Sequence, residues 1–438
     1  MTTDSTKAAL DLYEEWPSLT DEERIQRFRA LPNDELNDFF LTLDPTEQAA
    51  LIGDMPPSER VLWVRLVDPD DAADMIQATP HHARHELLQL LDDKTRSEVH
   101  ALLAYAEDDA GGLMNPRFAR IRPEMTVDEA IRYLRKQAGH VETIYYAYVL
   151  DANQHLEGVI SFRELFQAPD DKPVSELMHT EIVSVTEDLD QEAVGRLWVK
   201  QGLLAIPVVD NFGHMKGIIA FDDIADVLRE ETTEDIQKAG GMEALDTPYL
   251  STAFFDLVKK RTGWLALLFL GETLTASAMQ GFEKEIASAV VLAMFIPLVI
   301  SSGGNSGSQA TTLVIRAMAL GEVRLQDWKR VLLREVGAGF LMGAVLGTIG
   351  LIRILIWQAT GLANYTDHYL LVGMAVAMSL VGIVLWGSMA GAMLPFILRR
   401  AGFDPASASA PLVATLVDVT GLVIYFSVAS IMLRGTLL

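Results

Sequence analysis

Residues 411–421 read Pro-Leu-Val-Ala-Thr-Leu-Val-Asp-Val-Thr-Gly and place one carboxylate, Asp418, inside an apolar stretch that continues to Leu433. A helix that crosses a bilayer needs about 20 mostly apolar residues, so this stretch is long enough to span a membrane. An ionised acid at that depth is costly unless it faces water, a cation or a polar partner. The sequence therefore predicts a cation site at Asp418. The alternative is a buried acid bonded to Thr415, Thr420 or a neighbouring helix.

Four further apolar stretches precede this one, and together they predict five spans: 262–281, 287–320, 336–357, 369–398 and 411–433. The second is too long for one simple span, and we expect it to be interrupted by Pro297 and by the polar run Ser-Ser-Gly-Gly-Asn-Ser-Gly-Ser-Gln at 301–309. Polar or irregular backbone in the bilayer is tolerated only where it is buried in protein or lines a cavity. Asn305 and Gln309 are therefore predicted either to line a pore or to join helices at a tight crossing.

The charge of the chain is divided unequally at residue 261. Nine of the 60 acidic residues and ten of the 35 Lys and Arg residues fall in 262–438, so the first 261 residues have a net charge of −26. A soluble half this acidic is repelled by nucleic acid and attracts cations. The absence of cysteine excludes disulfides, thiolate metal sites and cysteine nucleophiles. With no Walker A or dinucleotide-binding loop, we expect a protein that is not an enzyme.

Basic residues flank the predicted spans unequally. Ten Lys and Arg residues lie on the side of the soluble half, whereas only Lys284 and Arg434 lie on the other side. The positive-inside rule therefore places the soluble half in the cytoplasm and the C-terminus outside. These features predict a multi-pass protein of the plasma membrane.

Prolines recur every 11–13 residues in the N-terminal part of the chain, at Pro32, Pro45, Pro57, Pro69 and Pro80. Most are followed by acidic and then apolar residues, a pattern typical of helix starts. The sequence thus predicts stacked short helices that form an acidic, all-α superhelical N domain over residues 1–110.

Residues 113–229 contain an internal repeat. Leu113-Met114 recurs as Leu177-Met178, and Gly158-Val-Ile-Ser-Phe-Arg-Glu-Leu-Phe166 matches Gly217-Ile-Ile-Ala-Phe-Asp-Asp-Ile-Ala225 59 residues later. Each copy is typical of strand, helix, strand, turn, strand and helix. The two copies, 111–170 and 171–229, resemble a pair of α/β CBS domains, which usually pair into a disc and sense a ligand.

Acidic residues crowd the segment that follows the repeat. Asp226, Glu230 and Glu234 are spaced four residues apart. Like charges at this spacing destabilise a helix, and a divalent cation would relieve the repulsion. A solvated acidic face is the simpler alternative. We predict a long linker helix over 230–261 that joins the CBS pair to a membrane domain at 262–438.

In this order, the parts of the chain resemble the MgtE family of magnesium channels. The most specific pieces are 411–421, Pro297-Leu-Val-Ile-Ser-Ser-Gly-Gly-Asn-Ser-Gly-Ser-Gln309 with Arg316-Ala-Met-Ala-Leu-Gly-Glu322, and Glu107-Asp-Asp-Ala-Gly-Gly-Leu-Met114. The resemblance implies a homodimer in the lipid bilayer in which two facing Asp418 side chains form the pore site for Mg²⁺. Asn305, Gln309 and Thr415 are the pore-lining candidates. Magnesium prefers oxygen ligands and keeps several waters, which suits a pore with few carboxylates.

The same resemblance implies feedback by cytoplasmic Mg²⁺ on a magnesium-selective uptake channel. Regulatory Mg²⁺ would bind acids at the CBS end and in the linker, and two N-domain acids fit the spacing more loosely. The first set comprises Asp223, Asp226, Glu231, Glu234 and Asp235, and the N-domain acids are Asp70 and Asp74. Bound Mg²⁺ would neutralise these acids and close the pore, and loss of Mg²⁺ would open it.

Three alternatives stay open at this point. CBS domains often bind adenosine nucleotides through a Thr/Ser-x-x-Asp ending, but Ser161-Phe-Arg-Glu164 and Ala220-Phe-Asp-Asp223 are each half of that pattern, which leaves ATP at the CBS pair undecided. A carrier that couples Co²⁺ or Mn²⁺ to a proton or sodium gradient would use Glu272 beside Asp418 as its coupling pair. A nucleotide-sensing membrane receptor would conduct no ions.

Overall fold

The computed structural model describes residues 2–250, 252–363, 365 and 367–437. The chain forms two compact units, Met1–Glu231 and Thr232–Leu438.

The first unit begins with eight short helices: α1 (Thr2–Glu15), α2 (Asp21–Arg29), α3 (Asn33–Thr42), α4 (Pro45–Gly53), α5 (Pro57–Val64), α6 (Pro69–Ala78), α7 (His81–Leu90) and α8 (Asp93–Leu102). Pro45, Pro57 and Pro69 lie in the first turns of α4, α5 and α6. Pro32 and Pro80 directly precede α3 and α7. The helix starts predicted from proline are confirmed, because proline's fixed φ and missing N–H suit a first helical turn. Superhelical stacking of these helices stays a prediction.

The internal repeat folds twice into the same α/β arrangement after a short helix α9 (Ala110–Leu113). The first copy contains β1 (Arg120–Ile121), α10 (Val127–Gln137), β2 (Tyr146–Leu150), β3 (Leu156–Ser161) and α11 (Phe162–Gln167), and the second contains β4 (Val185–Thr186), α12 (Gln191–Gln201), β5 (Ala205–Val209), β6 (Met215–Ala220) and α13 (Phe221–Ala239). In each copy the first strand pairs parallel to the second, and the second pairs antiparallel to the third. The predicted element order of the repeat is therefore confirmed.

The N-terminal helices and the second repeat share one hydrophobic core. Met75 and Val99 of the helices belong to the same buried cluster as Val185, Ile206 and Ile224 of the repeat. Shared burial of this kind fixes α6 against the second repeat. The start of α13, which follows β6 without a break, is thereby positioned beside the N-terminal helices.

The linker helix is shorter than the predicted span of 230–261. Helix α13 runs on from the second repeat but ends at Ala239. Gly240 and Gly241 follow, and Gly241 has φ +78°, a left-handed conformation that ends a helix and favours glycine. In the described part of the chain, the next helix begins at Phe254.

The second unit contains α14 (Phe254–Gly281), α15 (Glu283–Ser288), α16 (Val290–Ala293), α17 (Ile296–Ala319), α18 (Trp328–Thr360), α19 (Tyr369–Arg400) and α20 (Ala410–Met432). The over-long stretch 287–320 is interrupted, but not where the polar run predicted. The breaks lie at Ala289 and around Met294 and Phe295, upstream of Pro297 in the first turn of α17. Residues 301–309 are regular helix, because their small and hydroxyl side chains allow close helix packing.

Glycines let the apolar helices approach one another closely. A Cβ at Gly343 of α18 would lie 2.7 Å from Val381 Cα of α19, and one at Gly347 would lie 2.8 Å from Ala377 O. Gly387 and Gly391 of α19 pack in the same way against the backbone of Gly303 and Gly307 in α17. Small residues at such crossings are typical of membrane helices, because they let the backbones come close.

Among the described residues, four stretches of helix are long and apolar enough to cross a membrane: 290–319, 325–360, 369–400 and 410–432. They correspond to the second to fifth predicted spans. Helix α14 has the length of a span, but Glu272 and several polar residues make it less apolar than the other four. The count of five spans therefore stays a prediction.

Candidate cation sites

Asp418 lies in α20, half-buried, where α20 packs against α17. A Cβ at Gly304 of α17 would lie 3.8 Å from Asp418 Oδ1 and 3.6 Å from Ala414, in ordinary van der Waals contact, so α17 approaches α20 closely beside the carboxylate. Neither predicted partner bonds to Asp418: Thr415 donates to Pro411 O at 3.1 Å, and Thr420 donates to Leu416 O at 2.8 Å. Across the described residues no hydrogen bond or ion pair involves Asp418. Its carboxylate therefore faces water, a cation or a partner chain.

The polar run of α17 separates into two faces. Gly303, Gly304, Ser306 and Gly307 are buried, and Ser306 Oγ lies 2.7 Å from Ser388 Oγ of α19. Ser301, Asn305 and Gln309, spaced four residues apart, are exposed on one side of the helix. The tight-crossing interpretation thus fits the small residues, whereas Asn305 and Gln309 form a polar stripe available to line a water-filled path.

Helix α14 lies parallel to α20 along most of its length. Trp264 Nε1 donates to Ser409 Oγ at 3.2 Å, a Cβ at Gly271 would lie 2.9 Å from Thr415 Cγ2, and the rings of Phe282 and Phe426 stack at 5.0 Å. Each contact joins residues 144 or 145 positions apart, so the two helices advance together in one direction. Glu272, next to Gly271, is thereby placed at nearly the level of Asp418.

The soluble unit holds a second acidic site around Asp70 of α6. Asp70 is buried, and its Oδ1 accepts a hydrogen bond from Asn115 Nδ2 at 3.0 Å. The same Asn115 amide donates to Glu142 Oε2 at 2.6 Å. Asn115 is fully buried after α9 and is held by backbone bonds with Ile218 of β6. One amide thus joins acids from the N-terminal helices and the first repeat.

Negative charges surround these two carboxyl groups. Burial, followed by the charges of Asp223, Asp71 and Glu142, raises the pKa of Asp70 well above its usual range. Burial and repulsion from Asp68, Asp222 and Asp71 raise the pKa of Glu142 to about 8. The packed unit therefore retains protons, or requires cations, where isolated carboxyl groups would be ionised.

The acidic crowding extends along α6 and the first turns of α13. Burial, with the charges of Asp71, Glu107 and Glu230, raises the pKa of Asp74 to about 8. Burial and the charge of Asp222 raise the pKa of Asp223, although the backbone N–H of Ala220 donates to its Oδ2 at 3.0 Å. The pKa of the Asp71 carboxyl group rises to about 6 through loss of solvation and the charge of Asp68, although the residue as a whole is exposed.

These acids are close neighbours without forming a finished ligand set. In the part of the chain that the structure describes, no three His, Asp or Glu side chains are arranged to hold a metal ion. A hydrated Mg²⁺ that binds through its waters does not need such a set, because it usually keeps several of them.

Four of the predicted regulatory residues lie farther along α13. Asp226 is exposed and pairs with Arg229 at 3.0 Å, and Glu231 accepts a hydrogen bond from Gln191 Nε2 at 2.7 Å. In the second unit, Glu234 pairs with Lys238, and Asp235 is half-buried beside it. The predicted regulatory residues therefore form two groups. Asp70, Asp74 and Asp223 belong to an acidic cluster on which the charge of Asp226 also acts. The other residues have bonding partners of their own.

Lys238 was not identified from the sequence. Its Nζ also lies 2.8 Å from Asp404 Oδ2, in the loop that leads into α20. Side-chain bonds to Asp404 and Glu234 raise the pKa of Lys238 despite its burial. The last turn of α13 is thus bonded directly to the loop before the helix that carries Asp418.

Sequence reasoning also missed Asn115, Glu142 and Asp71. Asn115 follows the repeated Leu-Met pair, so its position next to a repeat motif was a usable signal. Glu142 lies in the loop between α10 and β2, and no spacing or composition links it to α6.

Models of known protein families match most of the chain. Residues 8–108 match the MgtE intracellular N domain, 110–171 and 174–230 match the CBS domain, and 296–428 match the MgtE divalent cation transporter. The order of these matches is the order of the parts along the chain.

Similar proteins cover nearly the whole chain. The magnesium transporter MgtE of Thermus thermophilus is 41% identical over 97% of this chain and 93% of its own length. The magnesium transporter MgtE of Bacillus subtilis is 31% identical over 96% of this chain and 90% of its own length. Among solved structures, the cytosolic domain of the Mg²⁺ channel MgtE in complex with ATP is 40% identical, covers 50% of this chain and 90% of that one, and gives a TM-score of 0.47.

Proposed function

The chain belongs to the MgtE family of divalent cation transporters, and on that premise we propose that it carries Mg²⁺ across the plasma membrane as a channel closed by cytoplasmic Mg²⁺. Its relatives are transporters, not enzymes. The observation that carries the proposal is Asp418, a carboxylate between apolar helices with no bonding partner among the described residues and a glycine opposite it.

Asp418 suits a cation that stays largely hydrated. The carboxylate is half-buried and has no bonding partner among the described residues, so its oxygens can accept hydrogen bonds from the waters around an ion. The exposed amides of Asn305 and Gln309 offer oxygen atoms along the same helix. A carboxylate that meets Mg²⁺ through water attracts it without a tight cage, so the ion can also leave.

A homodimer completes this path. One protomer supplies one acid and one exposed polar stripe, and a twofold axis through that surface would bring two Asp418 side chains and two stripes face to face. Exposed polar groups on membrane helices would then face a shared aqueous path instead of lipid. Thr415, half-buried beside Gly271, is a lining candidate on the α14 side.

Helix α14 is proposed as the fifth span. Its parallel contacts with α20, from Trp264 to Phe282, extend over the length of a helix that can itself cross the membrane. Five spans would place the N-terminal unit in the cytoplasm and the C-terminus outside, as the basic residues predict. The proposed domain limits are 1–110, 111–229, 230–261 and 262–438, with helix only to Ala239 in the third.

Closure by Mg²⁺ follows from the acidic cluster in the soluble unit. Around Asp70 and Asp74, ionised carboxylates repel one another, and a divalent cation neutralises two charges at once. Mg²⁺ bound there would favour the packed state of α6 against α13, and its loss would favour a looser state. The bond from Lys238 to Asp404 offers a route by which a change in α13 reaches α20.

The two rival functions gain no support from the relatives, which are magnesium transporters. A Co²⁺ or Mn²⁺ carrier predicts flux that depends on a proton or sodium gradient. A nucleotide-sensing receptor predicts no flux at all. Neither the proposed channel nor the carrier depends on ATP binding at the CBS pair, where Ser161 and Glu164 are bonded to each other.

Mg²⁺ uptake into proteoliposomes tests the proposal, with the full chain compared with Asp418→Asn. We expect uptake that follows the Mg²⁺ gradient, ignores pH gradients and falls at least ~100-fold in the variant, since a membrane cation site loses its charge. Glu285→Gln, the loss of an acid elsewhere in the second unit, serves as the control. Absence of uptake by the unsubstituted chain would refute transport, and full uptake by Asp418→Asn would refute the site.

A further inference from the structure

We infer that Glu272 is a second carboxylate of the cation path, which sets the preference for divalent over monovalent cations. This inference rests on the proposed function and assigns a role to a residue that the pore site at Asp418 leaves unexplained.

Three contacts establish the level of Glu272. Trp264 meets Ser409, Gly271 meets Thr415, and Phe282 stacks on Phe426, so residues 144 or 145 apart lie side by side along two parallel helices. By this register Glu272 lies opposite Leu416, two residues before Asp418. At a rise of 1.5 Å per residue, the two acids differ by about 3 Å along the helix axes.

The faces through which α20 contacts α14 and α17 are consistent with this register. Thr415 and Asp418 are three residues apart on α20 and therefore lie on neighbouring parts of one face. Thr415 meets α14 at Gly271, whereas Ala414 and Asp418 approach α17 at Gly304. Asp418 thus lies on the side of α20 between its contacts with α14 and α17, and Glu272 directly follows Gly271, the α14 residue that contacts Thr415. By this register the two carboxylates lie at nearly the same level of neighbouring helices.

Glu272 has no bonding partner in the part of the chain that the structure describes. Its side chain is exposed, and no hydrogen bond or ion pair joins it to any residue that the structure describes. An acid in a membrane helix that neither pairs nor packs is costly in lipid and is retained where it meets water or ions. Arg353 shows the contrast, because its guanidinium lies 4.2 Å above the Trp357 ring and has a partner.

Two carboxylates at one level change which cation is favoured. The attraction of each fixed charge scales with the charge of the ion, so a second carboxylate favours Mg²⁺ over Na⁺ or K⁺ more than one alone does. Because Glu272 lies nearer the N-terminal ends of both helices, the proposed orientation puts it on the cytoplasmic side of Asp418. An ion that leaves Asp418 toward the cytoplasm would therefore pass Glu272.

The test uses the full chain in proteoliposomes and compares Glu272→Gln, which has nearly the same shape without charge, with Glu272→Asp, which keeps the charge. Glu285→Gln is the matched control. Initial Mg²⁺ uptake is measured against external Mg²⁺, and Na⁺ and K⁺ uptake is measured beside it. Removal of an unpaired membrane charge should not impair folding.

We expect Glu272→Gln to raise the half-saturating Mg²⁺ concentration about tenfold and to increase monovalent uptake relative to Mg²⁺. Glu272→Asp and Glu285→Gln should stay within about threefold of the unsubstituted chain, since both keep a carboxylate at position 272. Uptake that depends on Asp418 but is unchanged in both respects by Glu272→Gln would overturn the inference and leave the proposed function intact. Absence of Mg²⁺ uptake by the unsubstituted chain would overturn both.

Discussion

Asp70 in the soluble unit and Asp418 in the membrane unit are both carboxylates with few favourable partners, but their surroundings differ in kind. Asp70 is buried among other acids, bonded to Asn115, and its pKa is raised by burial and by the charges of Asp223, Asp71 and Glu142. Asp418 is half-buried between apolar helices, opposite a glycine, with one acid near its level.

The difference corresponds to two tasks that one cation can perform. A sensor has to have two states whose balance depends on the ion, and crowded acids provide this because their repulsion is strong without a cation. A transport site has to bind and release quickly, and a half-buried carboxylate with no bonding partner among the described residues satisfies this requirement. The same ion can therefore be retained in one unit and passed on in the other.

The largest expected effect is a loss of closure by cytoplasmic Mg²⁺ while Mg²⁺ transport continues. Asp226→Asn, Glu231→Gln and Glu234→Gln together should keep Mg²⁺ flux high when Mg²⁺ on the cytoplasmic face is millimolar, because fewer charges remain for Mg²⁺ to neutralise. Flux through proteoliposomes of known orientation measures this. The control neutralises three exposed acids elsewhere, Asp93→Asn, Glu124→Gln and Glu181→Gln. Closure in the first triple variant as in the control would contradict the sensor.

A substitution at Asn115 tests how strongly repulsion among the buried acids affects the stability of the soluble unit. Asn115→Asp replaces the amide that donates to Asp70 and Glu142 with another acid, so both lose a donor and gain a repulsive charge. We expect a loss of about 3 kcal/mol in the free energy of unfolding of the soluble unit, partly restored by Mg²⁺. Asn153→Asp, in an exposed turn, is the control. Denaturant unfolding of the full chain in detergent, with Mg²⁺ or chelator, measures both, and equal stabilities would contradict the role of Asn115.

The membrane unit depends on shape where the soluble unit depends on charge. A Cβ at Gly343 would lie 2.7 Å from Val381 Cα, whereas nothing lies within 4 Å of a Cβ at Gly337 of the same helix. Gly343→Ala should therefore destabilise the α18–α19 contact by about 2 kcal/mol, and Gly337→Ala should not. Thermal unfolding in detergent compares the two variants. A stable Gly343→Ala would show that these helices are packed less closely than described.

The smallest expected effect is a pH dependence of the soluble unit in the absence of Mg²⁺. The packed state holds protons on Asp74, whose pKa is raised to about 8, more tightly than the unfolded chain does. This stabilisation is present below about pH 4 and is lost as the pH rises through about 8. A loss of about 1 kcal/mol would lower the unfolding temperature by roughly 2–4 °C.

Mg²⁺ should offset this loss at pH 8 more than at pH 6, because ionised acids bind the ion and protonated acids do not. Thermal scans at both pH values, with and without Mg²⁺, measure the difference. A soluble unit that is more stable at pH 8 than at pH 6 without Mg²⁺ would contradict the raised pKa values.

Local features of the sequence were sufficient for much of the fold. Pro45, Pro57 and Pro69 predicted helix starts because the constraint acts within the residue itself. The 59-residue offset between Gly158 and Gly217 predicted the duplicated α/β unit. Asp418 was recognised as a candidate because one acid in an apolar stretch needs no knowledge of its neighbours.

Features that depend on distant contacts could not be predicted. Asn115 meets Asp70 from 45 residues away, and Lys238 meets Asp404 from 166 residues away, and neither spacing has a local signal. The linker helix was predicted too long because acidic periodicity continues as far as Glu234, whereas the left-handed Gly241 decides where the helix stops. The break just before Pro297 agrees with the expectation from that proline, whereas the interruption expected at 301–309 was wrong, since polar composition and helix irregularity are separate properties.

The most direct measurement is Mg²⁺ flux at constant driving force while only Mg²⁺ on the cytoplasmic face is varied. A clamped voltage across a planar bilayer that contains the full chain separates closure from loss of the gradient. We predict a current that is carried by Mg²⁺, absent in Asp418→Asn, and progressively shut as cytoplasmic Mg²⁺ rises through the millimolar range. A current that depends on Asp418 but stays constant over that range would contradict the division between a transporting acid and a sensing cluster.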